Sequence, residues 1–225
     1  MKILSFLEIQ EKQKTLKVAF VLERTWYDNR LTFWHLKTNP ALNVLWERTH
    51  EPLWYPKLRF ENADKSRSNA AYYHTWRVLR DSQITPILEY PGTEKVANKF
   101  RGSDHMLMYK VEFLYHMRCV FDLEGFPFDK QTCRLNMKLP EDYTDFVKVW
   151  ARRIEYDMND NKHELTEYSA EKILFCSQAN GARLVVEIVF GRPLLGNILT
   201  TFLPTLLLLV VRSNSNYNCL IFVDI

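Results

Sequence analysis

The stretch CVFDLEGFPFDKQTC, residues 119–133, sets two of the chain's four cysteines around Phe126-Pro127-Phe128-Asp129. Two thiols in one short segment can form a disulfide, remain as core thiols, or supply half of a zinc site. The ligand pattern speaks against zinc, which usually takes C-x₂₋₄-C spacing with two further ligands, whereas His105, His116 and His163 show no such arrangement. A bridge from Cys119 to Cys133 closes a fifteen-residue ring, which in the chain-entropy model is worth about 3 kcal/mol. Inside that ring Pro127 between two phenylalanines suits a fixed turn that can take the cis isomer, with Asp122 and Asp129 as its charged contacts.

The elements that must position these cysteines read as strands. From Leu107 to Cys119 every odd position is apolar or aromatic and most even ones are polar; after the second cysteine, Cys133, Leu135, Met137 and Leu139 alternate with Arg134, Asn136 and Lys138. Both cysteines therefore fall on the core side, at the mouths of strands expected to be adjacent. Leu16, Val18, Phe20, Leu22 and Trp26 form a third such face, and Leu184, Val186, Ile188 and Phe190 a fourth. Short half-buried strands between polar turns predict a mainly β sandwich. Near the C-terminus LLGNILTTFLPTLLLLVV (194–211) is uncharged, with Arg192 before it and Arg212 after it. A run of that length approaches what a bilayer requires, so a membrane helix is expected over 192–212, with a buried core helix as the alternative.

Composition narrows the function classes. A chain of 225 residues at 47% hydrophobic supports one sizeable core, and a net charge of +3 is far from the basic excess of a nucleic-acid-binding domain. No P-loop, dinucleotide glycine pattern, nucleophile elbow or H-E-x-x-H occurs, which disfavours an enzyme, and nothing points to a cofactor or a bound metal.

These motifs resemble those of the pentameric Cys-loop ligand-gated ion channels, the class of nicotinic, glycine, glutamate-gated chloride and GABA-type receptors. The likeness rests on Cys119, Asp122, Phe126-Pro127-Phe128-Asp129 and Cys133, on WYDNRL (26–31), on Trp54-Tyr-Pro56-Lys-Leu58, on Trp150, and on FGRPLLGNILTTFLPT (190–205). It implies an extracellular β-sandwich of about ten strands (1–191), a first transmembrane helix (192–212) and a truncated tail (213–225). It further implies a disulfide between Cys119 and Cys133, partner subunits of the same or another kind in a pentamer, a lipid bilayer beneath them, a plasma-membrane location, and a small extracellular ligand held between subunits. Coupling is implied for the disulfide loop (Phe126, Pro127, Phe128, Asp129) and the turn QEKQKT (10–15), with Arg192 pairing to an acidic residue there, for which Glu11 is the candidate.

The resemblance also locates ligand-facing positions. One face maps to Arg59, Glu61, Pro140, Glu141, Asp142, Tyr143 and Arg183; the complementary face maps to Val21, Glu23, Met108 and Lys110. Amine-binding members build an aromatic box at these places, whereas this set is mainly charged, and Cys176 stands alone where acetylcholine-binding subunits carry an adjacent pair. The implied ligand is accordingly an amino acid, an amine, a proton or a metal ion, or else the chain does not form a principal binding face. MKILSFLEIQ is broken by Glu8 and does not read as a signal peptide, and one span is fewer than the four of a channel, so the chain reads as part of a subunit. A non-conducting accessory subunit and a membrane-tethered adhesion sandwich are the alternatives.

Overall fold

The computed structural model describes residues 1–45, 53–64, 69–89, 97–156, 165, 167–193 and 198–220. His163, weighed above for zinc, and parts of the expected span and tail (194–197, 221–225) lie outside them. Twelve strands are described among these residues, several of only two or three residues, against the ten or so expected. A five-stranded sheet has the order β1-β2-β9-β6-β4, where β1 is Lys2–Gln10, β2 Thr15–Trp26, β4 Val44–Leu45, β6 Ala70–Leu79 and β9 Met106–Arg118. A four-stranded sheet has the order β11-β12-β10-β5, where β5 is Arg59–Phe60, β10 Lys130–Lys138, β11 Ser169–Gln178 and β12 Arg183–Gly191. A small third sheet joins β3 (Thr32–Trp34), β8 (Ala97–Arg101) and β7 (Ile87–Glu89).

Alternation in the sequence becomes a shared interior. Leu16, Val18, Phe20 and Leu22 of β2, with Tyr115 and Met117 of β9, meet Leu135 and Met137 of β10 and Leu184, Val186, Ile188 and Phe190 of β12 in one buried cluster. The two larger sheets thus bury their apolar faces on each other, which is what a period-two pattern achieves when one face meets water. A second cluster holds Phe33, Leu36, Trp76, Val78, Phe100 and Leu107 under the small sheet. Gly102 is required where it stands: a Cβ there would lie 2.1 Å from the Asp28 carbonyl oxygen, because the loop carrying WYDNRL crosses it with hydrogen bonds in both directions.

Cys119 and Cys133 are bonded, with Cα atoms 5.2 Å apart, and both are buried. Their strands are not neighbours in one sheet, as alternation alone suggested. β9 belongs to the five-stranded sheet and β10 to the four-stranded one, so the bridge ties the two layers of the sandwich together. Facing sheets bring core-side residues together as readily as paired strands do, and a linear pattern does not distinguish the two cases.

Of the helix expected over 192–212, residues 194–197 lie outside the described residues and the helical structure described begins at Ile198. Arg192 follows β12 in extended chain, Ile198–Phe202 forms a π-helical turn, and an α-helix runs over Leu203–Leu220. Only its first nine residues are uncharged and largely apolar; Arg212-Ser-Asn-Ser-Asn follows. Among the described residues no helix is long and apolar enough to cross a membrane.

Candidate functional site

Three separated segments converge on Arg192, at the end of β12. The turn between β1 and β2 brings Glu11, its backbone closed by the Lys14 N–H donating to the Glu11 carbonyl (3.1 Å) with Lys14 in the left-handed region (φ 54°). That turn is itself fastened to the disulfide, since the Cys119 N–H donates to the Lys14 carbonyl at 2.8 Å. The disulfide loop supplies Asp129, and the residue before β11 is Tyr168. Arg192 Nη2 donates to Glu11 Oε1 at 2.5 Å, its Nε donates to Asp129 Oδ1 at 2.8 Å, and Nη2 also meets the Tyr168 hydroxyl. The Tyr168 hydroxyl donates to Glu11. The guanidinium lies over the rings of Tyr168 (4.3 Å) and Phe126 (5.0 Å), so its charge is held by two carboxylates and two π-faces.

The disulfide loop is stiffened from within. Gln131 accepts from the Asp122 N–H at 2.9 Å and donates to the Asp122 carbonyl at 2.5 Å and to Asp129. The Phe126–Pro127 bond is cis, and Phe126 stacks on Phe202 at 6.3 Å, which connects the loop to the C-terminal helical segment. Phe128 and Val120 are exposed at 69% and 79%, leaving apolar surface of the loop open.

One cation facing two carboxylates leaves an excess negative charge in a place where Arg192 and Asp129 have almost no water contact. Burial works against ionisation of Glu11 and Asp129. Hydrogen bonds from Tyr168 and Arg192 to Glu11, and from Arg192 and Gln131 to Asp129, outweigh it, so both carboxyls sit below their ordinary range. Asp28 of WYDNRL is also lowered, chiefly by the hydrogen bonds of Arg30 at 2.9 and 2.7 Å. Carboxyls depressed in this way contribute stability that is complete above the unfolded carboxylate range and is lost as pH falls through the lowered folded values. The thermal midpoint, followed by circular dichroism, is therefore expected to drop on acidification from about pH 5 downward. Arg192→Gln, which leaves Glu11 and Asp129 without their cation, is expected to flatten that acid limb.

The positions mapped to ligand faces fall on different sheets. On the four-stranded side, Arg183 of β12 pairs with Glu61 just after β5 at 3.1 Å. Arg59 lies opposite Lys138 in the β5–β10 register, and Lys138 pairs with Glu141 at 3.3 Å. Pro140 opens a 3₁₀ turn over Glu141–Tyr143, in which Asp142 is exposed. The hairpin between β11 and β12 leans on this region: the Leu139 N–H donates to the Ala182 carbonyl and the Val149 N–H to the Gly181 carbonyl, each at 2.9 Å. On the five-stranded side, Val21 is buried, Met108 follows on β9, and Glu23 and Lys110 are direct cross-strand partners with their charges 3.3 Å apart.

Several residues escaped the linear reading. Tyr168 and Gln131 complete the Arg192 cluster, and Phe146 sets its ring 5.6 Å from that of Tyr143, while Trp54, read above only as part of a family signature, stands 6.4 Å from the same ring. Phe146 stands three residues beyond Tyr143, one turn of a 3₁₀ helix, which is the only signal the sequence offers for it. Among the described residues no group of three or more His, Cys, Asp or Glu side chains could hold a metal ion.

Residues 1–187 match the family model described as neurotransmitter-gated ion-channel ligand binding domain. The chain is 25% identical over 209 residues to the gamma-aminobutyric acid receptor subunit theta of Mus musculus, covering 89% of this chain and 28% of that protein. It is 24% identical over 131 residues to the acetylcholine receptor subunit delta of Xenopus laevis, covering 58% of this chain and 20% of that protein. The chain thus spans less than a third of the length of the curated relatives it matches. A sandwich whose layers are tied by a short disulfide loop, matched over most of its length, makes this chain a member of the neurotransmitter-gated ion-channel ligand-binding domain family.

Proposed function

We propose that this chain is the extracellular ligand-binding part of a receptor subunit that stands with four others, like or unlike, at the plasma membrane and drives a pore from outside. The observation that carries the reading is the Arg192 cluster, where one guanidinium joins the first strand turn, the disulfide loop and the end of β12. A tilt of β12 cannot occur without pulling on Glu11 and Asp129, so the cluster couples strand movement to the loop whose exposed apolar residues, Phe128 and Val120, are open to a partner. That partner is a membrane domain reached through the segment after Arg192.

The ligand is held between subunits, with Glu61, Arg183, Glu141, Tyr143 and their neighbours on one side and Val21, Glu23, Met108 and Lys110 on the other. Side-by-side opposite charges in Glu61 and Arg183 favour a zwitterion of the amino-acid class over a simple amine. An exposed pair of this kind is worth only about 0–1 kcal/mol to folding, so its members are free to exchange partners with a ligand. Single alanine replacements of Arg59, Glu61, Glu141, Asp142 and Arg183 in the assembled receptor are expected to shift the half-maximal agonist concentration, by roughly tenfold where a charge-assisted hydrogen bond is lost. Unchanged responses for all five would discard this placement of the site.

A further inference from the structure

We infer that the cavity beside Arg24 and Trp26, between the two larger sheets of a single chain, binds a small organic anion with an aromatic body. Val21, Glu23, Met108 and Lys110 of the interface site proposed above also line this cavity, and the inference goes beyond that site because the donors it turns on, Arg24 and Trp26, belong to a single chain. The cavity measures about 820 Å³, within the range of small-molecule sites. Arg24 and Trp26 are two residues apart on β2 and so share a face of the strand.

Arg24 is a partly buried cation that meets no counter-ion among the described residues. Its guanidinium lies 5.0 Å from the centre of the Tyr55 ring and 4.8 Å from that of Tyr109, and donates one hydrogen bond, to the Pro56 carbonyl at 2.9 Å. No carboxylate reaches it among the described residues, and its Nε is buried without an acceptor. Trp26 repeats the pattern, with a buried indole N–H that has no acceptor either. Two orphaned donors on one strand face, both lining the same cavity, describe a place that lacks an acceptor. Burial pushes the Arg24 guanidinium down from its ordinary value, with only the two tyrosines opposing.

The sign of the cavity points the same way. Its carboxylates, Glu23 and Glu155, are already engaged by Lys110 at 3.3 Å and Arg153 at 3.2 Å. Arg152 and Lys2 also line it and form no ion pair among the described residues. An ammonium ligand would meet like charges, whereas a carboxylate gains charge-assisted hydrogen bonds in a partly dry setting. The rest of the wall is aromatic: Trp26 and Trp54 stand edge to face at 6.1 Å, and Trp150, 67% exposed, borders the cavity. Rings and a cation together fit an aryl carboxylate.

Indole-3-acetate and tryptamine share a ring and differ in charge, so the pair tests the inference by calorimetric titration of the whole chain at concentrations where its mass is that of one chain. Saturable binding of indole-3-acetate and none of tryptamine is the expected result, weakened roughly tenfold or more by Arg24→Met and by the exposed rim change Arg152→Glu. Absence of saturation by indole-3-acetate, equal binding of tryptamine, or wild-type affinity in a folded Arg24→Met would overturn it. Where circular dichroism finds Arg24→Met unfolded, Arg152→Glu decides alone, and unchanged affinity there overturns it. Because the titration uses single chains and the agonist assay uses the assembled receptor, either reading can fail while the other stands.

Discussion

Replacing Arg192 with glutamine is expected to destabilise the sandwich by about 3–5 kcal/mol, the range for removing one partner of a buried ion pair. The reason is what stays behind. Asp129 and Arg192 are 3% and 5% exposed at the side chain, so the substitution leaves a buried carboxylate facing Glu11 with no cation between them. It also removes the π-contacts to Tyr168 and Phe126. Urea unfolding, with the midpoint falling at an unchanged slope, measures the effect. Arg192→Lys should lose less, because the charge survives while the planar fork that reaches Glu11 and Asp129 together does not. The triple change Glu11→Gln, Asp129→Asn, Arg192→Met should recover most of the loss, since a buried ion pair is dear to break singly and often near neutral to replace whole. A triple variant as unstable as Arg192→Gln would show that the cost lies in packing instead of charge.

Reduction of the disulfide, or the change Cys133→Ser, is expected to cost about 3 kcal/mol by releasing a fifteen-residue ring in the unfolded chain. For a chain of this size that corresponds to a thermal midpoint lower by roughly 6–12 °C. The expected consequences are local as well as global. Cys119 carries the backbone hydrogen bond to Lys14, and Gln131 beside Cys133 holds Asp122 and Asp129. Protection of the Cys119 amide from exchange should therefore fall more than that of amides in the middle of β2. Equal protection loss throughout would mean that the bridge acts only through the unfolded chain.

Much of the sandwich was legible because burial on one face imposes a period of two. The alternating runs at 16–26, 107–119, 133–139 and 184–190 fall on β2, β9, β10 and β12, with most of their apolar positions in the cluster between the two larger sheets and Trp26, Leu107 and Tyr109 in the one under the small sheet. The apolar run at 194–211 left the bounds of its helix open for an equally physical reason. Hydropathy registers the absence of charge but not where a helix begins, and here the α-helix starts at Leu203 and runs on into Arg212-Ser-Asn-Ser-Asn. Glu11 and Arg192 were suggested by family resemblance alone; 181 positions separate them, and no local rule couples residues so far apart. Tyr168 drew no notice at all. A tyrosine in a polar stretch has no periodic partner, and only the packing of β11 beside β12 places its hydroxyl on Glu11 and Arg192.

Sequence by itself determined which residues face inward and which two thiols are spaced to close a small ring. Those are properties of neighbours along a chain, governed by side-chain alternation and loop length. Tertiary structure decided that the ring ties two sheets instead of two paired strands, that Arg192 is shared by Glu11, Asp129 and Tyr168, and that Arg24 lies partly buried beside a cavity with no counter-ion among the described residues. Each depends on how the sheets stack, and stacking is set by the sum of many weak contacts between segments that the linear order keeps apart.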